Sequence, residues 1–205
     1  MRDDVSAVLF DEPLTVIDPH LKWQLRRKLK QIHRELKLTL IYVTHDQVEA
    51  LTFAEQVVVM TRGKAVQVGS ADALFERPQH TFVGHFIGSP GMNFLPARST
   101  PDGIEVAGTN LRIDDALSLP QGEIKLGIRP EYVKLAGSGA AGALAAQVTQ
   151  VQDIGTYLML TASIAGQPVK ARLTPETHRP QPGDTVWLQM LDAHTCFYRN
   201  EELVA

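Results

Sequence analysis

Residues 5–13 read VSAVLFDEP, an apolar run that stops abruptly at two acids and a proline. A run of this kind is typical of a strand that is buried on both faces and emerges from a sheet at its carboxyl end. Asp18 and Pro19 follow, and they suit the cap and the first position of a helix. The sequence therefore predicts a strand at residues 5–10 and a helix from Pro19, the beginning of an α/β arrangement.

The helix after Asp18 is predicted to bury one face. Its leucines and one isoleucine recur at three- and four-residue spacing, as an amphipathic helix requires: Leu21, Leu25, Leu29, Ile32 and Leu36. Lysines and arginines between Lys22 and Lys37 occupy most of the other positions. Such a basic face can contact nucleic-acid phosphates, but we favour a solvated surface.

A second buried strand is predicted at residues 39–43, and it ends in Thr44-His45-Asp46. Because the carboxyl ends of neighbouring parallel strands share one edge of a sheet, His45 is expected near Asp11 and Glu12. The rest of this part is predicted to be a short helix at 48–54, a hairpin of strands at 57–60 and 65–68, a helix capped by Ser70, and a last helix to about Ile87.

The pattern changes at residues 88–91, Gly-Ser-Pro-Gly, where we place a domain boundary between residues 1–90 and 91–205. Short apolar runs then alternate with Gly, Pro and Asp turns, which predicts a small closed β-barrel. These runs lie at residues 93–95, 111–113, 124–128, 145–151, 157–160, 169–173, 186–191 and 196–198. Strands buried on both faces need helices on both sides, and residues 1–90 supply too few, so we expect further strands of the first domain before Met1.

Asp11 and Glu12 are the strongest catalytic candidates. Adjacent acids at a strand end can divide two tasks in phosphoryl transfer: the first holds Mg²⁺, usually through water, and the second deprotonates the attacking water. His45, at the end of the next strand, is placed to donate a hydrogen bond to a phosphate. Each signal alone is weak, because polar strand ends and structural histidines are common, but their combination indicates nucleotide hydrolysis.

The motifs as a set resemble one family closely. VLFDEPL at residues 8–14, Asp18 with its helix, and IYVTHDQVEA at 41–50 are similar to the ATPase subunits of ABC transporters. FIGSPGMNF at 86–94 and GIRPE at 127–131 are similar to the junction and the regulatory domain of the carbohydrate-import branch. The loop LTVIDPH at 14–20 departs from the Leu-Ser-Asn-Leu-Asp form common in the family, and is similar to importers of glycerol and glycerol-3-phosphate.

The resemblance implies the fold class and the roles of four residues. Residues 1–90 would be the C-terminal part of an α/β P-loop NTPase domain, and residues 91–205 an OB-like barrel that regulates and dimerises. Asp11 would be the Walker B aspartate that holds Mg²⁺, Glu12 the catalytic base, and His45 the switch histidine. Asp18 would be the D-loop residue that reaches across a dimer.

Both elements that grip ATP phosphates in this family are missing from the sequence. A phosphate loop needs glycines ahead of a Gly-Lys pair, yet Gly63-Lys64 is followed by Ala65 and is preceded by Val58 at the first glycine position. The sequence also contains no Gly-Gly pair, which the Leu-Ser-Gly-Gly-Gln signature requires. We therefore expect ATP and Mg²⁺ to be used only together with a missing N-terminal half, and we expect no ATP hydrolysis by this chain alone.

Composition and resemblance together set the expected partners. A net charge of -3 gives no broad positive field, so nucleic acid is not expected. With one cysteine and no apolar stretch of roughly 20 residues, a cytoplasmic protein is expected. The resemblance implies a homodimer that binds integral membrane permease subunits, lies peripherally on the inner face of the membrane, and receives a regulatory protein at its C-terminal domain.

Two other functions remain open at this stage. The β-rich part could be a non-catalytic module that recognises a small anion, a protein or single-stranded nucleic acid, with its aromatic side chains stacking on bases. Most of these aromatics are instead expected in the core: Phe94, Tyr132, Tyr157, Trp187, Phe197 and Tyr198. A metal hydrolase that uses Asp11, Glu12, His45 and Asp46 is less favoured because the assured ligands are too few, and His80 and His85 lack further ligands nearby.

Overall fold

The computed structural model describes residues 7–14, 17–112, 118–176 and 178–205. Val5, Thr15, Val16 and Ile113, which belong to elements or motifs predicted above, lie outside these ranges. The elements in chain order are β1 (Ala7–Asp11), α1 (Pro19–Leu36), β2 (Thr39–Val43), α2 (Gln47–Phe53), β3 (Val57–Thr61), β4 (Lys64–Gly69), α3 (Ala71–Glu76), α4 (Thr81–Phe86), β5 (Asn93–Thr100), β6 (Gly103–Val106), β7 (Thr109–Leu111), β8 (Gly122–Ile128), β9 (Lys134–Ala136), β10 (Ala143–Asp153), β11 (Leu158–Ile164), β12 (Gln167–Leu173), β13 (Thr185–Gln189), β14 (Cys196–Arg199) and β15 (Glu202–Leu203).

The first elements form one βαβ unit, as the sequence predicts. Strands β1 and β2 are parallel, with Ala7 opposite Thr39 and Asp11 opposite Val43. Helix α1 makes the crossover, and the carboxylate of Asp18 caps it by accepting a hydrogen bond from the His20 N–H at 2.8 Å. The two polar strand ends therefore lie side by side at one edge of the sheet.

The expectation that these strands are buried on both faces is wrong. Both strands alternate between exposed and half-buried residues, and Leu9, Ile41 and Val43 are 65%, 51% and 46% exposed. The rings of Phe10 and Tyr42 on the opposite face contact each other, and Tyr42 also contacts Phe53 of α2. Among the described residues, helices therefore pack on one face of this sheet and leave the other open. In α1 itself Leu21 and Leu25 are 50% and 40% exposed.

A second cluster follows, built around the hairpin of β3 and β4. These strands pair antiparallel with each other and with no other described strand, so they form their own small sheet. The inward side chains of β3 pack with α3 and α4, and the largest fully buried members are Leu74 and Ile87. Val58, Met60 and Val68 on the other face of the hairpin are more than half exposed.

Most described strands lie in residues 93–205, here called the β part. It contains two sheets rather than the single closed barrel expected from the sequence. One has the strand order β15-β14-β8-β5-β6-β7 and the other β12-β11-β10-β13-β9. They share one apolar core that includes Ile104, Leu126 and Leu160, each with no exposed surface. Asn93 also joins the sheets, because its side chain donates to the Lys170 carbonyl and accepts from the Lys170 N–H.

Several side chains and backbone groups of the β part hold α3, α4 and the segment between them against it. The Tyr198 hydroxyl donates to the Pro78 carbonyl at 2.8 Å, and the Thr81 N–H donates to the Glu201 carbonyl at 2.9 Å. Arg129 makes the most extensive contact, as its guanidinium donates to the carbonyls of Leu74, Phe75 and Ile87. The boundary predicted at residues 88–91 is thus crossed by many polar contacts.

Arg129 occupies the meeting point of two helix ends. Only 1% of its surface is exposed, and its guanidinium also lies over the Phe75 ring, 4.0 Å from the ring centroid. Leu74 and Phe75 are in the last turn of α3, and Ile87 is the C-cap of α4. Carbonyls at helix ends have no partner within the helix and carry partial negative charge, so the cation both satisfies and neutralises them.

We predict that Arg129→Met lowers the free energy of unfolding by about 3 kcal/mol, because buried carbonyls at two helix ends lose their donors. Urea unfolding followed by circular dichroism measures the change. Arg98→Met is the matched control, since Arg98 is an exposed residue of β5, and it should change stability by less than about 0.5 kcal/mol. Equal unfolding midpoints for the two variants would contradict this role of Arg129.

Candidate functional site

Glu12 and His45 meet at the ends of the two parallel strands. Directly after β1, the Glu12 N–H donates to the Val43 carbonyl at 2.9 Å, which prolongs the strand pairing by one residue. Oε1 of Glu12 then lies 2.6 Å from Nδ1 of His45 and accepts from the His45 N–H at 3.1 Å. Glu12 and His45 are therefore in contact, as the sequence predicts.

Glu12 adopts a backbone conformation that non-glycine residues seldom use. Its φ angle is 46°, in the left-handed region, where the Cβ atom is crowded. This turn redirects the chain after β1 and aims the carboxylate across to the end of β2. Strain of this kind persists where surrounding contacts fix it, and the hydrogen bonds to His45 and Val43 supply such contacts.

The pair has a defined electrostatic character. The hydrogen bond from His45 to Glu12, with the charge of that carboxylate, raises the pKa of His45 above its ordinary value of 6.5. His45 remains well exposed, so the imidazole can still reach a ligand. Since the folded-state pKa is raised, the pair stabilises the fold fully below the ordinary histidine pKa and loses that contribution as the pH rises through the raised value.

The loop that carries His45 is held by local hydrogen bonds. Oγ1 of Thr44 accepts from the Asp46 N–H at 3.0 Å, and the Asp46 carboxylate caps α2 by accepting from the N–H groups of Val48 and Glu49. Asp46 thus acts as a helix cap, which explains its position without a metal-binding role.

Glu49 is the centre of a polar network behind this loop, and no local sequence pattern distinguishes it. It is 97% buried, since only 3% of its surface is exposed. One carboxylate oxygen contacts Lys22 at 3.4 Å and Arg26 at 3.3 Å, and the other accepts from the hydroxyls of Tyr42 and Thr44. Burial, followed by the hydrogen bond to Glu49, raises the pKa of Tyr42 well above its usual range. Glu49 therefore ties α1, β2 and α2 together beneath the candidate site.

A small cleft of about 50 Å³ lies over this arrangement. Its lining contains two predicted site residues and four others: Glu12, Lys22, Thr44, His45, Asp46 and Glu49. Asp11 ends β1 next to Glu12 and is exposed, but it is not among the lining residues. Asp18 caps α1 and lies outside the cleft as well. The structure thus brings Glu12 and His45 together and leaves Asp11 and Asp18 at the periphery.

Other candidate residues have structural contacts. Arg27 on the basic helix stacks on Trp23, 4.7 Å from the ring centroid. His80 caps α4, and His85 packs against Phe94, where burial lowers its pKa. Among the described residues, no group of three or more His, Cys, Asp or Glu side chains is arranged to hold a metal ion. Phe197 and Tyr198 are buried, so the aromatic side chains of the β part do not form a common exposed stacking surface.

Two family models match the C-terminal part of the chain. Residues 88–133 match the MalK OB fold domain and residues 126–197 match the TOBE domain. The β part is therefore an OB-like domain of the TOBE type. No helix in the described part of the chain is sufficiently long and apolar to cross a membrane.

Three relatives align with nearly the whole chain. An ABC transporter ATP-binding protein of Sinorhizobium fredii, y4oS, is 39% identical over 197 residues, which is 90% of this chain and 50% of that protein. The sn-glycerol-3-phosphate import ATP-binding protein UgpC is 40% identical in Pectobacterium atrosepticum, over 90% of this chain and 52% of the relative. UgpC of Escherichia coli is 37% identical over 92% of this chain and 54% of the relative.

The chain is accordingly similar, over nine tenths of its length, to ABC transporter ATP-binding proteins, and its β part matches the TOBE family; it spans about half the length of the curated relatives it matches. One solved structure, the cytoplasmic molybdate-binding protein ModG, covers 52% of this chain with 15% identity and a TM-score of 0.41.

We predict that Glu12→Gln returns the pKa of His45 toward 6.5, because the amide removes the negative charge that favours the imidazolium. A proton NMR titration of the His45 ring between about pH 5 and 9 measures this shift. Glu55→Gln is the control, since Glu55 is exposed and lies two residues after the end of α2, and it should leave the titration unchanged. A His45 titration that is identical in all three proteins would exclude the pairing.

We predict that Glu49→Leu destabilises the βαβ unit by about 2 kcal/mol. The substitution leaves two cations and two hydroxyls without their shared acceptor, and partial solvation of Lys22 and Arg26 limits the loss of stability. A Trp187→Phe background leaves Trp23 in α1 as the only tryptophan, so its fluorescence reports this unit during urea unfolding. Glu55→Leu is the control, and a loss of stability equal to that of Glu49→Leu would count against the network.

Proposed function

We propose that this chain is the C-terminal half of an ATP-binding subunit of an ABC importer, the half that contains the hydrolytic residues Glu12 and His45. The transported solute is a polyol phosphate such as sn-glycerol 3-phosphate. The contact between Glu12 and His45 at two parallel strand ends carries this proposal. The relatives named UgpC support the solute class, because they share 37–40% identity with this chain. ATP hydrolysis requires the other half of the protein, to which the remaining length of the relatives corresponds.

In this proposal Glu12 is the general base for the attacking water. Its carboxylate is exposed enough to reach solvent and is oriented by two hydrogen bonds from His45. His45 has a raised pKa and an exposed ring, so it can donate a hydrogen bond to an anion while remaining near Glu12. A general base within reach of an anion-binding donor is the arrangement that hydrolysis of a phosphoanhydride needs.

The residues present fit only one end of a nucleotide. A cleft of about 50 Å³ is far below the roughly 300–1,000 Å³ of pockets that enclose a ligand. Asp11, adjacent to Glu12, offers an exposed carboxylate for Mg²⁺ through water, and Mg²⁺ when bound would neutralise phosphate charge. Asp18 is assigned to a contact across a dimer. The adenine ring and the remaining phosphates would be bound by the other half and by the second subunit.

The exposed apolar faces support an assignment of residues 1–90 to part of a larger nucleotide-binding domain. Leu9, Ile41 and Val43 form the open face of the parallel pair, and Val58 and Met60 belong to the open face of the hairpin. Apolar sheet faces of this kind are normally covered in an α/β domain. Residues 91–205 are assigned to a regulatory and dimerising domain.

The partners follow from the same assignment. Two copies would sandwich ATP, and closure of the pair would drive integral permease subunits between inward and outward states. The protein would therefore lie peripherally on the inner face of the membrane, bound through those subunits. A regulatory protein is assigned to the β part, on which the family's inhibitory signals are expected to act.

We predict that this chain alone binds no ATP with Mg²⁺, and that joining it to the N-terminal half of Escherichia coli UgpC restores hydrolysis. Calorimetric titration tests the first statement, and release of phosphate tests the second. In the joined protein Glu12→Gln should lower kcat by roughly 10²- to 10⁴-fold, since it removes the general base. His45→Ala should also lower kcat, whereas Glu55→Gln should not.

Saturable binding of ATP by the chain alone would overturn the assignment of the phosphate-binding groups to another half. Unchanged hydrolysis by the joined Glu12→Gln protein would overturn the role of Glu12. Circular dichroism of each joined variant distinguishes loss of activity from loss of fold.

A further inference from the structure

The side chain of Gln47 and the backbone of Gly88 form a closed pair of hydrogen bonds. Oε1 of Gln47 accepts from the Gly88 N–H at 2.7 Å, and Nε2 donates to the Gly88 carbonyl at 3.3 Å. The two residues are 41 positions apart in the chain. Both bonds are partly buried. One side chain thus satisfies both backbone polar groups of a residue distant in the sequence.

Gln47 lies directly after the loop that contains His45. It is the first residue of α2, and it follows the stretch Thr44-His45-Asp46 directly. That stretch is joined to the helix start through the Thr44 and Asp46 side chains, described above. These hydrogen bonds connect the loop to the first turn of α2. A contact that fixes Gln47 also fixes the position of His45 relative to Glu12.

Gly88 is held from its other side by the β part. The carbonyl of the preceding residue, Ile87, accepts from the Arg129 guanidinium. A Cβ atom at Gly88 would lie 2.8 Å from Nη1 of Arg129, so the backbone and the guanidinium are in close contact. Gly88 also has a φ of 110°, which favours glycine. Gln47 and Arg129 thus hydrogen-bond to the adjacent residues Gly88 and Ile87 from opposite sides.

We propose that Gln47 is a positioning residue that couples the His45 loop, through Gly88 and Arg129, to the β part. A displacement of the β part then moves His45 relative to the Glu12 carboxylate. The consequence for catalysis rests on the proposed function, whereas the mechanical coupling is a property of this chain by itself. If Gln47 only stabilised the first turn of α2, a substitution at Arg129 would not affect the position of His45.

The first test measures the contact. In Gln47→Leu the Gly88 amide should exchange with solvent roughly fivefold faster or more, which is the net worth of one lost hydrogen bond. Gln47→Glu keeps an acceptor for the Gly88 N–H but loses the donor, so its exchange rate should be intermediate. Gln56→Leu, at an exposed glutamine that follows α2, is the control and should leave the rate unchanged.

The second test measures the coupling with a double-mutant cycle read by NMR at fixed pH. Arg129→Lys should shift the amide signals of Thr44, His45 and Asp46 when Gln47 is present. In the Gln47→Leu background the same substitution should leave those signals unshifted. Should Arg129→Lys not fold, Phe75→Leu removes the ring beneath the guanidinium and serves as the perturbation.

Equal shifts at residues 44–46 in both backgrounds would overturn the proposal, and so would an unchanged Gly88 exchange rate in Gln47→Leu. Neither readout involves ATP, so a failure of the joined protein to hydrolyse ATP leaves this result standing. Conversely, in an active joined protein the coupling predicts that Gln47→Leu changes kcat with little change in KM, because nucleotide binding relies on other groups.

Discussion

The fold depends on the burial of one cation, Arg129, between two helix ends and the β part. Burial lowers the pKa of this guanidinium, yet an arginine keeps its charge in proteins, so the charge must be compensated in place. The salt bridges among the described residues do not include Arg129, and the compensation comes from backbone carbonyls of α3 and α4 instead. Helices of six residues are unstable alone, so the guanidinium stabilises α3 and α4 while their carbonyls stabilise its charge.

The candidate site depends on a different constraint, the parallel pairing of β1 and β2. Register places Asp11 opposite Val43, so the next residues, Glu12 and Thr44, begin at the same height of the sheet. The left-handed turn at Glu12 then brings its carboxylate to His45, and Glu49 holds the supporting elements from behind. Within the described residues the site and the junction are separate hydrogen-bond networks, and the bonds between Gln47 and Gly88 join them.

Local patterns predicted the elements well, because apolar runs and caps are local signals. The strand at 39–43, the helix capped by Ser70 and the meeting of Glu12 with His45 follow from such signals. The short strands β6, β9 and β15 escaped prediction because they have only two to four residues. The number of sheets in the β part and the exposure of one face of β1 were not predicted, because both depend on packing between residues distant in the sequence. Glu49 was missed for the same reason, since only its buried contacts distinguish it from a surface acid.

The contacts of α3 and α4 also impose an order on biosynthesis. Their carbonyls gain a donor only when Arg129 has been made, 42 to 55 residues later, and Thr81 gains its partner Glu201 only after 120 residues. Contacts so distant in sequence close late, because a long loop must first be ordered. During translation, the βαβ unit, whose strands pair within residues 7–43, can therefore form before the segment that joins it to the β part, whose contacts wait for Arg129 and Glu201.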